Sequence, residues 1–145
     1  MVGKGDETAM NHCIFCRIAA HEAPAYILCE DETSLAFMDI NPASPGHVLV
    51  VSRQHAVNIF DVSPPALAGV MKTVQRVATA VNAAFLPDGL SIVQANGPGA
   101  AQSVLHFHVH VLPRSFEDGL PINWQLRPGE RHAIEAAADR IRAAL

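Results

Sequence analysis

The stretch SVLHFHVHVLPR, residues 103–114, sets His106, His108 and His110 at alternate positions in an otherwise apolar run. In an extended chain successive side chains face opposite ways, and residues two apart lie roughly 6.6 Å from each other. The spacing therefore predicts a strand over 103–113 with three imidazoles on one face. Leu105, Phe107, Val109 and Val111 take the other face, packed on a core. One buried histidine is commonly a hydrogen-bonded core residue, but three in register leave several polar groups to satisfy. Such a face needs a chemical task. A metal site is one, since imidazole is a common zinc ligand. Nucleophilic catalysis is the other, with one imidazole attacking while its neighbours set its tautomer and handle protons.

The preceding loop, NGPGAAQS (96–103), favours nucleophilic catalysis. Gly97 and Gly99 permit tight turns with exposed backbone N–H groups, and Gln102 and Ser103 add neutral donors. That combination suits phosphate oxygens. The formal net charge of −4 argues against a broad nucleic-acid face but not against a small phosphate ligand.

The rest of the chain supplies a frame. Residues 13–25 read as a short helical turn and a Pro-marked loop. Apolar runs at 26–31 and 34–40, split by an acidic turn, predict a hairpin. NPASPG (41–46) is dense in turn residues, and HVLVVS (47–52) reads as a buried strand. Ser63 is a plausible N-cap before Pro64 and Pro65. Leu67, Val70, Met71, Val74, Val77, Ala78 and Val81 then recur at helical spacing to about Phe85. Leu67, Val70, Met71 and Val74 are candidates for a subunit interface or for the face packed on the chain's own sheet, and periodicity does not separate the two. A further strand is expected at 89–95, an aperiodic segment at 116–130 and an Ala-rich helix over 131–145. The fold class is α+β: an antiparallel sheet of about five strands with one long helix packed on it.

With 145 residues, a single domain is expected over 11–145, its C-terminal tail and helix being 115–145. Residues 1–10 read as a flexible leader. An odd cysteine count (Cys13, Cys16, Cys29) without a secretory signal or an apolar span points to reduced thiols and a cytoplasmic location.

The segments CIFCRI, LAFMDINPASPGHVLVVSRQH and NGPGAAQSVLHFHVHVLPR together closely resemble the histidine triad (HIT) family, in its order and spacing over roughly residues 12–114. The resemblance implies a HIT-like fold whose homodimer forms a larger sheet. It also implies a nucleotide hydrolase or nucleotidyl transferase acting at the α-phosphate of nucleoside phosphoramidates or dinucleoside polyphosphates. His108 would be the nucleophile that forms a nucleotidyl-histidine intermediate. His110 would assist with charge or the leaving group, and His47 would sit behind the triad and set tautomers. Gln102, Ser103 and Asn96 would serve the phosphate-binding loop, Asp39 the ribose, and Phe37 and Ile40 the base pocket. The expected ligand is a purine nucleotide such as AMP, GMP or an adenosine conjugate, with no nucleic acid or membrane partner.

Cys13-x-x-Cys16 alone supplies half of a tetrahedral zinc site and fits two buried thiols or a redox pair equally well. By the resemblance, His55 and His106 complete a structural zinc site, with no catalytic cofactor. One departure stands out: Ala95 occupies a position where many relatives carry Asn or Gln. Two alternatives remain. One is a catalytically weak nucleotide-binding interaction protein; the other is a zinc metallohydrolase that uses the three histidines.

Overall fold

The computed structural model describes residues 12–145; the expected leader, 1–10, lies outside the described residues. A short helix, α1 (Ile14–Ala19), precedes the hairpin β1 (Ile27–Glu30) and β2 (Ser34–Met38). Then come β3 (Val48–Ser52), the long helix α2 (Pro64–Phe85), β4 (Gly89–Val93), β5 (His108–Arg114) and α3 (Arg131–Arg142). The five strands form one sheet in the order β1-β2-β3-β5-β4, with every neighbouring pair antiparallel.

Period-two alternation divides the central strands between two cores. Ala36, Val48, Val50, Phe107, Val109 and Val111 face α2, which contributes Val70, Val74, Val77 and Val81. Leu35, Phe37, Leu49 and Val51 face the opposite way and pack on Phe15 and Ile18 of α1. Covered on both faces, β3 has every residue buried, as its unbroken VLVVS run requires. Val70 and Val74 are thus spent on the chain's own sheet, and Leu67 packs at its margin. Of the four interface candidates only Met71, 44% exposed, remains on the outside.

Helix α2 starts where the sequence signals it: the Ser63 hydroxyl accepts from Ala66 N–H, and Pro64 and Pro65 need no partner in the first turn. It ends at Leu86, in the left-handed region.

The histidine strand is shorter than the pattern predicts. The β5 ladder begins at His108 rather than residue 103, and Leu105, expected in the core, is 61% exposed. The alternation nevertheless persists from His106 onward, since Phe107 faces α2. Phe107 N–H donates to the Ala56 carbonyl at 2.6 Å, which holds the segment beside the sheet before the ladder starts.

Beyond β5, the Arg114 guanidinium grips the Asp118 carboxylate through two bonds of 2.6 and 2.9 Å and pins the start of the tail. The rest of the tail is held less firmly: Trp124 is 82% exposed and α3 buries no residue. No helix among the described residues is long and apolar enough to cross a membrane.

Candidate active site

Strand register brings the site together. Val51 pairs with His108 and Leu49 with His110, so both imidazoles lie on the face covered by α1. The turn before β3 delivers a third ring. Gly46 (φ +88°) lets the chain reverse into His47; a Cβ there would be strained by the positive φ and would press on the Phe85 ring at 2.9–3.0 Å.

Backbone groups fix the tautomers. A carbonyl only accepts, so His108 Nδ1, 2.6 Å from His106 O, carries the proton. His108 Nε2 is left with its lone pair. A backbone N–H only donates, and that of Ala43 reaches His47 Nδ1 at 3.0 Å, so the His47 proton sits on Nε2. From Nε2 it is donated to His110 Nδ1 at 2.9 Å, with an Asp39 oxygen further off at 3.5 Å. The His110 proton is consequently on Nε2. A relay Ala43–His47–His110 thus ends in an N–H donor beside the His108 lone pair, the His108 and His110 rings lying 4.9 Å apart.

Burial holds these rings neutral. It pushes His110 down to about 4, helped by His108 and His47 and opposed by Asp39. His47 and His108 are also lowered, again mainly by burial. The 3.5 Å His47–Asp39 contact therefore joins the carboxylate to a neutral ring and is not an ion pair.

The rings border a cavity of about 670 Å³, within the range of small-molecule sites. Phe37, Asp39, Ile40, His47, His108, His110 and Ser103 line it, as does Val104. Ile40 is 78% exposed at its rim. One Asp39 oxygen accepts from Asn41 N–H at 2.8 Å, which fixes the carboxylate at the cavity edge.

The loop before β5 is built differently from the sequence expectation. Gln102 is buried, and its amide is consumed within the protein: Oε1 accepts from Gly97 N–H, while Nε2 donates to Val57 O and Val104 O. Asn96 accepts from Ile59 N–H and exchanges bonds with Gln94. Neither residue lines the cavity; both shape the loop that presents Ser103. Ala101 sits in the left-handed region at φ 58°, where a Cβ is strained. Ala101→Gly is expected to raise stability by about 1 kcal/mol. Urea denaturation would check this, and a loss of stability would show that the loop gains more from the methyl than it spends on strain.

Ile14, Phe15 and Ile18 also line the cavity. No polar group marks them in the sequence as part of a site. Their spacing around the cysteine pair was the available signal, since it places one face of a short helix toward the sheet.

A second cluster lies behind α1. Cys13 Sγ is 3.3 Å and Cys16 Sγ 3.5 Å from His106 Nδ1, and Cys16 Sγ is 3.2 Å from His55 Nδ1. The four donor atoms lie within 4.8 Å of one another. His106 Nε2 donates to Ser52 O at 2.7 Å, so its Nδ1 offers a lone pair to the cluster. Burial and then Cys13 push the Cys16 thiol up to about 12. Two sulfurs and two imidazole nitrogens fit a tetrahedral zinc ion. His106 turns its lone pair away from His108 and His110, so the three histidines do not converge on one metal.

The HIT domain matches residues 20–117. The chain is 35% identical over 130 residues to adenosine 5'-monophosphoramidase hnt1 of Schizosaccharomyces pombe, covering 89% of this chain and 95% of that protein. The crystal structure of a HIT family protein from Bacillus anthracis superposes with a TM-score of 0.85 at 32% identity, covering 93% of this chain and 98% of that one. A Zn-bound histidine triad family protein from Mycobacterium smegmatis gives 0.70 at 34% identity, covering 94% and 99%. The fold is that of a HIT protein. This chain belongs to the histidine triad family.

Proposed function

We propose that this chain is a nucleotide hydrolase or nucleotidyl transferase that cleaves purine nucleoside conjugates at the α-phosphate through a covalent intermediate on His108. The observation that carries this reading is the forced tautomer of His108: its Nδ1 proton is committed to the His106 carbonyl, and Nε2 keeps a lone pair at the cavity wall. Neutral imidazole is a competent nucleophile near pH 7.

In the first step His108 Nε2 attacks the α-phosphorus, a P–N bond forms, and the bond to the leaving group breaks. The Nε2–H of His110, whose Nδ1 is held by His47, donates a hydrogen bond to the leaving atom, which departs with the bonding pair and takes its proton from solvent. Water then attacks the same phosphorus, a P–O bond replaces the P–N bond whose pair returns to His108 Nε2, the water gives its proton to solvent, and the nucleoside monophosphate departs. Ser103 donates to phosphate oxygens at the cavity edge, a form of electrostatic stabilisation. Asp39 accepts from the ribose, while Phe37 and Ile40, with Ile14 and Ile18, enclose the base. The activity of the S. pombe relative supports an adenosine phosphoramidate as the substrate to test first; a dinucleoside polyphosphate is the second. Cys13, Cys16, His55 and His106 would hold structural zinc, which fastens α1 to the sheet and takes no part in the displacement. A cytoplasmic homodimer completes the reading.

The test is intact mass after rapid mixing with an adenosine phosphoramidate, beside a His108→Ala control. A transient adduct of one adenylyl group, missing from the control, is the expected result. Turnover with no adduct would sink covalent catalysis. AMP binding with neither adduct nor turnover would favour the binding-protein reading, for which Ala95 is the argument.

The pH profile gives a second check. The relay needs neutral His110, because a protonated Nδ1 cannot accept from His47. Burial lowers His110 from 6.5 to about 4, so kcat/KM should hold below pH 6.5 and fall only toward pH 4. Stability shares this sign: it is full above the unfolded value and lost as pH falls from 6.5 toward about 4, where only the unfolded chain takes the proton. An acid limb centred at or above 6.5 would rule out a buried, neutral relay.

A further inference from the structure

Helix α1 belongs to both sites at once. Cys16, on the helix, and Cys13, at its N-cap, reach the thiol–imidazole cluster, whereas Ile14, Phe15 and Ile18 line the cavity. Phe15 is the closest link between the two. Its ring stands edge-on to His108 at 5.2 Å and 82°, to His106 at 5.9 Å, and to Phe37 at 5.4 Å.

A six-residue helix has no stability of its own, so its position depends on what anchors it. Apart from its apolar contacts, the anchors of α1 are few. The Arg53 guanidinium donates to Ala19 O at 2.9 Å, and the two cysteines meet His55 and His106. A metal ion would tie those four side chains into one unit. His106 adds a second path, because the carbonyl that orients His108 belongs to the residue whose Nδ1 faces the thiols.

We infer that metal at the Cys13–Cys16–His55–His106 cluster and nucleotide in the cavity bind with positive coupling, transmitted by Phe15, a positioning residue for His108. The inference rests on the nucleotide reading above. Each ligand orders the same short helix, so whichever binds second meets a segment already in place. The coupling is reciprocal by thermodynamic necessity.

The experiment measures AMP affinity by calorimetry for zinc-loaded and chelator-stripped protein, in wild type and in Phe15→Leu. Stripping is expected to weaken AMP binding about tenfold in wild type and less than about twofold in Phe15→Leu. Saturating AMP should raise zinc affinity in wild type by the same factor, read by competition with a chromophoric chelator. Cobalt-loaded protein supplies a readout that does not need the stripped chain to stay folded. AMP should shift the visible bands of tetrahedral cobalt in wild type and leave those of Phe15→Leu unchanged. Equal AMP affinity with and without zinc, or full coupling in Phe15→Leu, overturns the inference and leaves the nucleotide reading standing. AMP binding to no form overturns both.

Discussion

His108→Ala is expected to lower turnover of an adenosine phosphoramidate by at least about ten-thousandfold while AMP still binds. The size reflects how the site is divided. Affinity comes from Asp39 and the apolar cavity walls, from which the substitution removes only the His108 ring. Bond making comes from a single lone pair, on His108 Nε2, left free because the ring's one proton, on Nδ1, is donated in a hydrogen bond to His106 O. No neighbour can replace it: His110 Nδ1 is occupied by His47, its Nε2 carries a proton, and the free nitrogen of His106 faces the cysteines. Steady-state kinetics with an AMP titration would check both halves. A loss of less than about tenfold would mean that His108 is not the attacking group.

Phe107→Ala is the change expected to cost most in stability, about 3–5 kcal/mol. Phe107 is 1% exposed, in the core between α2 and the sheet, one residue from His108 and on the opposite face. Truncation leaves a cavity against Val50, Val109 and α2, residues held by the sheet ladders and a 22-residue helix that can relax only in part. A urea midpoint shift at unchanged slope is the measurement. A cost under about 1 kcal/mol would mean that the segment before β5 is not fixed in the core. The same alternation that puts His108 in the site puts Phe107 in the core, so activity and stability share one strand.

Much of this was readable from local pattern. Period two placed His108 and His110 together. Ser63 before two prolines marked the start of α2, and the apolar HVLVVS run announced a strand covered on both faces. The readings that shifted were those decided by distant partners. The alternation holds only from His106 onward and the ladder starts only at His108, because the preceding loop is closed by Gln102. Val70 and Val74 suited an interface equally well until the sheet claimed them. Phe15 carried no polar signature, and its importance arises from contact with a histidine far along the chain, on another element.

The sequence by itself determined which chemical groups are available and on which face each element presents them. Those are consequences of side-chain identity and backbone period, both local. Only the tertiary structure decided which nitrogen of each imidazole keeps its lone pair. That choice is made by the carbonyls of His106 and Ser52 and the N–H of Ala43, and for His106 and His110 it depends on packing between distant segments. A hydrogen bond assigns a proton only once both partners are in place.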